Sequence, residues 1–337
     1  MFSIARSPYG LLLAAAVGLV GLAACEPSAG RSDRQGVEGT LAVVGAGRSH
    51  VLWPVLRNAA ARFQAIHPRF RVLAEAPPVV SPNLQEKLIR RLCSDGVRGV
   101  CVQVTDARAL AGLLESLRSE GIVVVTLFDP VESTDPFPHS GVDYRAEGNR
   151  LADALASCIP DGGTVGVLGA EADRPARLRQ SGFNRRRVSH PELTVLHELD
   201  CAGDDARAVG LVRDTMKRFP GIDGWAAMDT WSLLAPNDGQ ALLPPKCSLV
   251  LPGPVADAVQ ALRDGRCQAM VVADYHEIVT RALQVCVLSL QGQPVLRPTF
   301  EAEVRIVTTS NLAPFARDWA RWTAWPIDGA EQEGAGP

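Results

Sequence analysis

Residues 96–127 read GVRGVCVQVTDARALAGLLESLRSEGIVVVTL, and they decide the fold class. Residues 99–104 are a short apolar run of strand type. Residues 107–119 carry apolar side chains at helical spacing. Residues 122–127 are a second strand, five of its six residues β-branched. Apolar runs without alternation are what a parallel strand buried on both faces requires, and a helix between two such strands makes a βαβ unit.

The same alternation extends in both directions. Upstream come a strand at 40–44, a helix at 51–66, a strand at 70–73 and a helix at 82–93. Residues 129–138 break the pattern with three prolines and clustered acids, as a linker does. A second series follows, with helices at 146–158, 177–188, 205–219 and 255–264, a loop and helix around 230–242, and a long helix at 275–290. Its strands fall at 164–168, 193–199, 224–228, 248–251, 268–272 and 299–307, and an aromatic helix follows at 315–325. This is an α/β chain of two doubly wound parallel-sheet lobes.

The 337 residues suffice for two domains, and a net charge of -3 supplies no basic stripe for nucleic acid. The N-terminus reads as a targeting segment: Arg6 flanks an apolar run at 11–22 that is too short to span a bilayer. That run ends in Leu22-Ala23-Ala24-Cys25, which resembles the bacterial lipoprotein signal. The resemblance implies cleavage before Cys25, lipidation of Cys25 and a signal peptide at 1–24; an ordinary signal peptide is the alternative. Residues 25–38 read as a flexible tether and 327–337 as a disordered tail.

Seven cysteines remain after Cys25, and export would allow them to oxidise. Cys247 and Cys267 each precede a strand and are one candidate pair, and Cys93 with Cys101 is a weaker one. The alternative is that all seven are small core residues. No CxxC pair occurs, and the six histidines share no spacing, so no metal site or cofactor is expected. There is no GxSxG, HExxH or Walker loop, which argues against an enzyme. Gly45-x-Gly47 begins a dinucleotide-type loop, but His50 stands where its third glycine belongs.

Several local motifs together resemble periplasmic binding proteins of the ribose-binding type, whose core is shared with the lactose-repressor class of regulators. The motifs are Gly96-Val97-Arg98-Gly99-Val100 with Asp106 and the 121–126 run, Gly141-Val142-Asp143-Tyr144 with Glu147-Gly148 and Arg150, ARLRQSGF at 176–183, and Phe219-Pro220-Gly221-Ile222-Asp223-Gly224 with Ala226-Ala227-Met228-Asp229. The resemblance covers nearly the whole chain after the signal. It implies two lobes joined by three crossing strands with a ligand cleft between them, one lobe at 39–138 plus 274–298 and the other at 139–273 plus 299–326. A lipoprotein signal in place of a helix-turn-helix segment disfavours the regulator.

The resemblance also implies site residues. Arg177 and Asp229 would face the ligand, an arrangement suited to a neutral polyol, although Asp229 could instead cap the next helix. Arg179 is read as structural. His50 and Trp53 stand where the family carries polar and aromatic contacts; Trp53 could equally be a core aromatic. Phe128 occupies the usual position of an acid, with Asp129 next to it. Tyr144 and Met228 replace asparagines, and Asp274 lies at a crossing. The implied function is a lipid-anchored solute-binding protein that hands a sugar or polyol to a membrane ABC permease. A sensor docking on a membrane kinase or chemoreceptor, an exported enzyme using the cleft, and a member that no longer binds are the alternatives.

Overall fold

The computed structural model describes residues 38–229, 242–253 and 258–324. The expected signal peptide with Cys25, nearly all of the expected tether, the helix expected around 230–242 and the expected C-terminal tail lie outside the described residues. Residues 37–337 form one unit, and both sheets belong to it.

The first sheet holds β1 (Gly39–Val44), β2 (Phe70–Glu75), β3 (Val97–Gln103), β4 (Val123–Phe128), β5 (His139–Val142) and β11 (Thr299–Ala302). They are ordered β11-β5-β4-β3-β1-β2, all parallel. The second holds β6 (Gly163–Gly169), β7 (Leu193–Asp200), β8 (Gly224–Ala227), β9 (Ser248–Pro252), β10 (Ala269–Ala273) and β12 (Val304–Thr308). Its order is β12-β10-β9-β8-β6-β7, with only β12 antiparallel.

Several helices begin where the sequence supplies a side-chain cap, whereas α1 starts after Leu52 with Pro54 in its first turn instead. The first sheet is covered by α1 (Trp53–Ile66), α2 (Pro82–Ser94), α3 (Ala107–Ser119) and α8 (Tyr275–Leu290). Ser81 caps α2, and Asp106 accepts from the amides of Arg108 and Ala109 at the start of α3. Gly96 and Gly121 follow α2 and α3 with φ of +92° and +82°, a left-handed turn that returns the chain to the sheet. The second sheet carries α4 (Tyr144–Cys158), α5 (Arg174–Arg187), α6 (Asp205–Arg218) and α7 (Ala258–Arg263); α9 (Leu312–Thr323) touches both α7 and α1.

Two boundaries differ from the sequence reading. His139–Val142 and Thr299–Ala302 belong to the first sheet rather than to the second lobe. The run expected as one strand at 299–307 therefore divides at Glu303 into β11 and β12. The chain accordingly passes between lobes three times, each time through one residue between elements: Asp143 from β5 to α4, Asp274 from β10 to α8, and Glu303 from β11 to β12.

All seven described cysteines are free, including Cys247 and Cys267. The sulfurs that approach one another are those of Cys101 and Cys286, 3.6 Å apart where α8 lies on β3. Neither expected pair forms, and the residues serve as small core side chains.

Candidate functional site

In each sheet the strand order reverses beside its first strand: β2-β1-β3 in one, β7-β6-β8 in the other. Open α/β sheets bind ligands beyond the carboxyl ends of strands at such switch points. A cavity of about 290 Å³ opens there, between the two sheets.

On the first lobe the loops after β1 and β3 are laced together. Gln85, fully buried on α2, donates to the carbonyls of Gly45 (3.0 Å) and Gln103 (2.7 Å) and accepts from the Thr105 hydroxyl (2.7 Å). Gln103 in turn accepts from the Ala46 amide (3.0 Å). The Leu52 amide donates to His50 Nδ1 (3.1 Å), so Nε2 carries the proton in the neutral ring. Burial lowers the His50 pKa against the opposing pull of Asp229, so the ring is neutral at pH 7.

The wall is aromatic. Phe128 ends β4 with φ +66°, a left-handed conformation unusual for a bulky residue. Its carbonyl accepts from the Tyr144 hydroxyl (3.3 Å), and its ring lies 6.2 Å from that of Tyr275. The Tyr275 hydroxyl donates to the Gly253 carbonyl. Asp129 follows Phe128 and accepts from Arg174 across the cleft at 3.1 Å. Burial raises the Asp129 pKa, and Arg174 partly offsets it.

The floor on the second lobe is Arg179. Its Nε donates to Glu147 at 2.6 Å, its Nη1 to the Met228 carbonyl at 2.9 Å, and Asp229 stands 3.9 Å from Nη1. The guanidinium sits 4.9 Å over the Tyr144 ring. Burial pushes Glu147 up, and Arg179 opposes the shift. Burial lowers Arg179, but Glu147, Asp229 and Tyr144 outweigh it and the net shift is upward. An ionised pair satisfies both sets of contacts.

Of the residues expected at the site, His50, Phe128, Asp129, Tyr144 and Asp229 line the cavity. Arg177, Trp53 and Asp274 do not. Arg177 is exposed and donates to the Glu171 carbonyl (3.0 Å). Helix α5 starts at Arg174, a turn earlier than expected, and two residues apart on it point about 200° apart, so with Arg179 buried Arg177 faces out. Asp173 before Pro175 is the cap signal that fixes this start. Trp53 is a core residue packed under Gly45. Asp274 is occupied as the cap of α8, accepting from the Glu277 amide (2.8 Å).

The sequence reading passed over Gln103 and Tyr275, named Glu147 only as part of a motif, and read Arg179 as structural rather than as part of the cavity wall. Gln103 had a signal, a polar side chain ending a strand that is apolar from Gly99 to Val102. Glu147 had one too, a carboxylate on the buried face of α4.

A family model described as a periplasmic binding protein domain matches residues 42–294. The chain belongs to the periplasmic binding protein family. That family implies an extracytoplasmic location and contains solute-binding proteins rather than enzymes. Among solved structures, an ABC transporter solute-binding protein from Burkholderia graminis in complex with D-arabinose is 18% identical. The match covers 81% of this chain and 96% of that one, with a TM-score of 0.69. One from Actinobacillus succinogenes with bound D-allose is 15% identical, over 82% and 99%, at 0.72. One from Agrobacterium vitis bound with alpha-D-tagatopyranose is 18% identical, over 82% and 97%, at 0.71. A comparison with curated proteins gave no match. The two-lobed α/β architecture of a periplasmic binding protein is thus reached from sheet topology and from similarity alike.

Proposed function

We propose that this protein is a solute-binding protein that captures a sugar or polyol between its lobes and delivers it to an ABC importer, held to the membrane by lipid on Cys25. The observation that carries this reading is the cavity at the paired switch points, lined by Gln103, His50, Asp129 and Asp229 beside aromatic rings. Carboxylates and an imidazole N–H offer acceptors and a donor to hydroxyls, and apolar rings cover sugar faces. Among the described residues, the lining contains no nucleophile–base pair, and binding without turnover is the reading it supports. Family membership and the sugars named for the similar structures agree with it.

Calorimetry and tryptophan fluorescence against a panel of pentoses, hexoses and polyols test the reading. Saturable binding lost in Asp229→Ala supports it; no binding across the panel, or turnover of the ligand, overturns it. Labelling with a radioactive fatty acid, lost in Cys25→Ala, tests the anchor separately.

A further inference from the structure

The charge in the cavity is lopsided. Among the described residues, three carboxylates line it, Asp129, Glu147 and Asp229, against the one guanidinium of Arg179. That guanidinium is already engaged by Glu147 and the Met228 carbonyl, with Asp229 nearby. An arginine in this condition offers little to an anionic ligand. Glu147 itself is fully buried, yet its second oxygen, Oε1, has no hydrogen-bond partner among the described residues. A buried carboxylate oxygen left without a donor is costly.

Asp129 faces the cavity with its other side held by Arg174. His50 is neutral and adds no competing cation. Phe128 and Tyr275 supply ring faces, which attract cations in a desolvated site.

We propose that the cavity selects a cationic, amino-bearing sugar or polyol, whose ammonium group is balanced by the carboxylates of Asp129, Glu147 and Asp229, and that it rejects carboxylated sugars. This rests on the solute-binding reading and names its ligand class. Arg179 is then a positioning residue that holds Glu147 and Asp229 rather than the group that grips the ligand.

The test is calorimetry at pH 7 and low salt with two matched series: D-glucose, D-glucosamine and D-glucuronate, and D-galactose, D-galactosamine and D-galacturonate. In at least one series the amine binds about ten-fold more tightly than its neutral parent, the margin of a charge-assisted over a neutral hydrogen bond. The uronate binds more weakly than the parent, and added salt erodes the amine's advantage. Glu147→Gln and Asp129→Asn each shrink the amine-to-parent ratio. Circular dichroism checks that Glu147→Gln folds; if it does not, the half-exposed Asp129→Asn decides. An amine no tighter than its parent, a uronate equal to or tighter than it, or ratios unchanged in the folded variants would overturn the proposal while neutral-sugar binding still stands. Absence of binding by every neutral and amino sugar overturns the proposal together with the reading beneath it.

Discussion

Arg179 and Arg177 are two positions apart on α5, and their environments predict opposite outcomes. Replacing Arg179 with Met leaves Glu147 buried and unpaired, which costs about 3–5 kcal/mol of stability. Arg177→Ala removes an exposed contact to a carbonyl and changes stability by about 0.5 kcal/mol or less. Urea unfolding of the two variants separates them, and ligand affinity follows: lost in the first, retained in the second. His139 makes a second residue-scale prediction. Burial, reinforced by Arg174, lowers its pKa from 6.5 to about 4, so the folded state favours the neutral ring. Its contribution is complete above pH 6.5 and is lost as pH falls towards 4. The span corresponds to about 3 kcal/mol. His139→Gln, which keeps a polar partner for the Thr126 hydroxyl, flattens that part of the stability–pH profile. An unchanged profile would show that the ring is not held neutral.

At the scale of elements, α4 and α5 approach so closely that each places a glycine against the other's backbone. A Cβ at Gly148 would stand 2.8 Å from Arg179 Cα, and one at Gly182 would stand 3.0 Å from Arg145 Cα. Gly148→Ala must therefore push the helices apart, costing about 3 kcal/mol and displacing Arg179 from the cavity. Thermal unfolding and ligand titration of this variant test both effects together. These two glycines explain why the motifs around 148 and 182 were legible before the structure: both mark one helix contact. The βα alternation was equally legible, because strands buried on both faces stay apolar throughout. The membership of β5 was not. Four residues after a proline-rich stretch carry no period, and only pairing with β4 and β11 assigns them. The site was half legible for a similar reason. Phe128 and Asp229 stand at or just after strand ends, where position alone points to the cleft. Arg179 depends on which face of α5 packs against α4, which the contacts at Gly148 and Gly182 show and the spacing alone does not.

For the whole molecule, the Asp129–Arg174 ion pair joins the lobes across the mouth of the cleft. Both side chains are partly exposed, so the pair is worth about 1 kcal/mol at most. Small as it is, that energy biases the balance between open and closed arrangements. Arg174→Ala is expected to enlarge the ligand-free radius of gyration in X-ray scattering and to weaken ligand binding a few-fold. Scattering that does not change with the variant or with ligand would mean that the lobes do not swing.

Tyr144 and Tyr275 line the cavity, and each is the residue immediately after a crossing, Asp143 and Asp274. On the proposed reading, the rings facing a ligand are therefore the first links beyond the crossings. A ligand of different girth would stop the lobes at a different angle. Chemical identity would then be written into the tilt of the whole molecule, where a membrane partner could read it without touching the ligand.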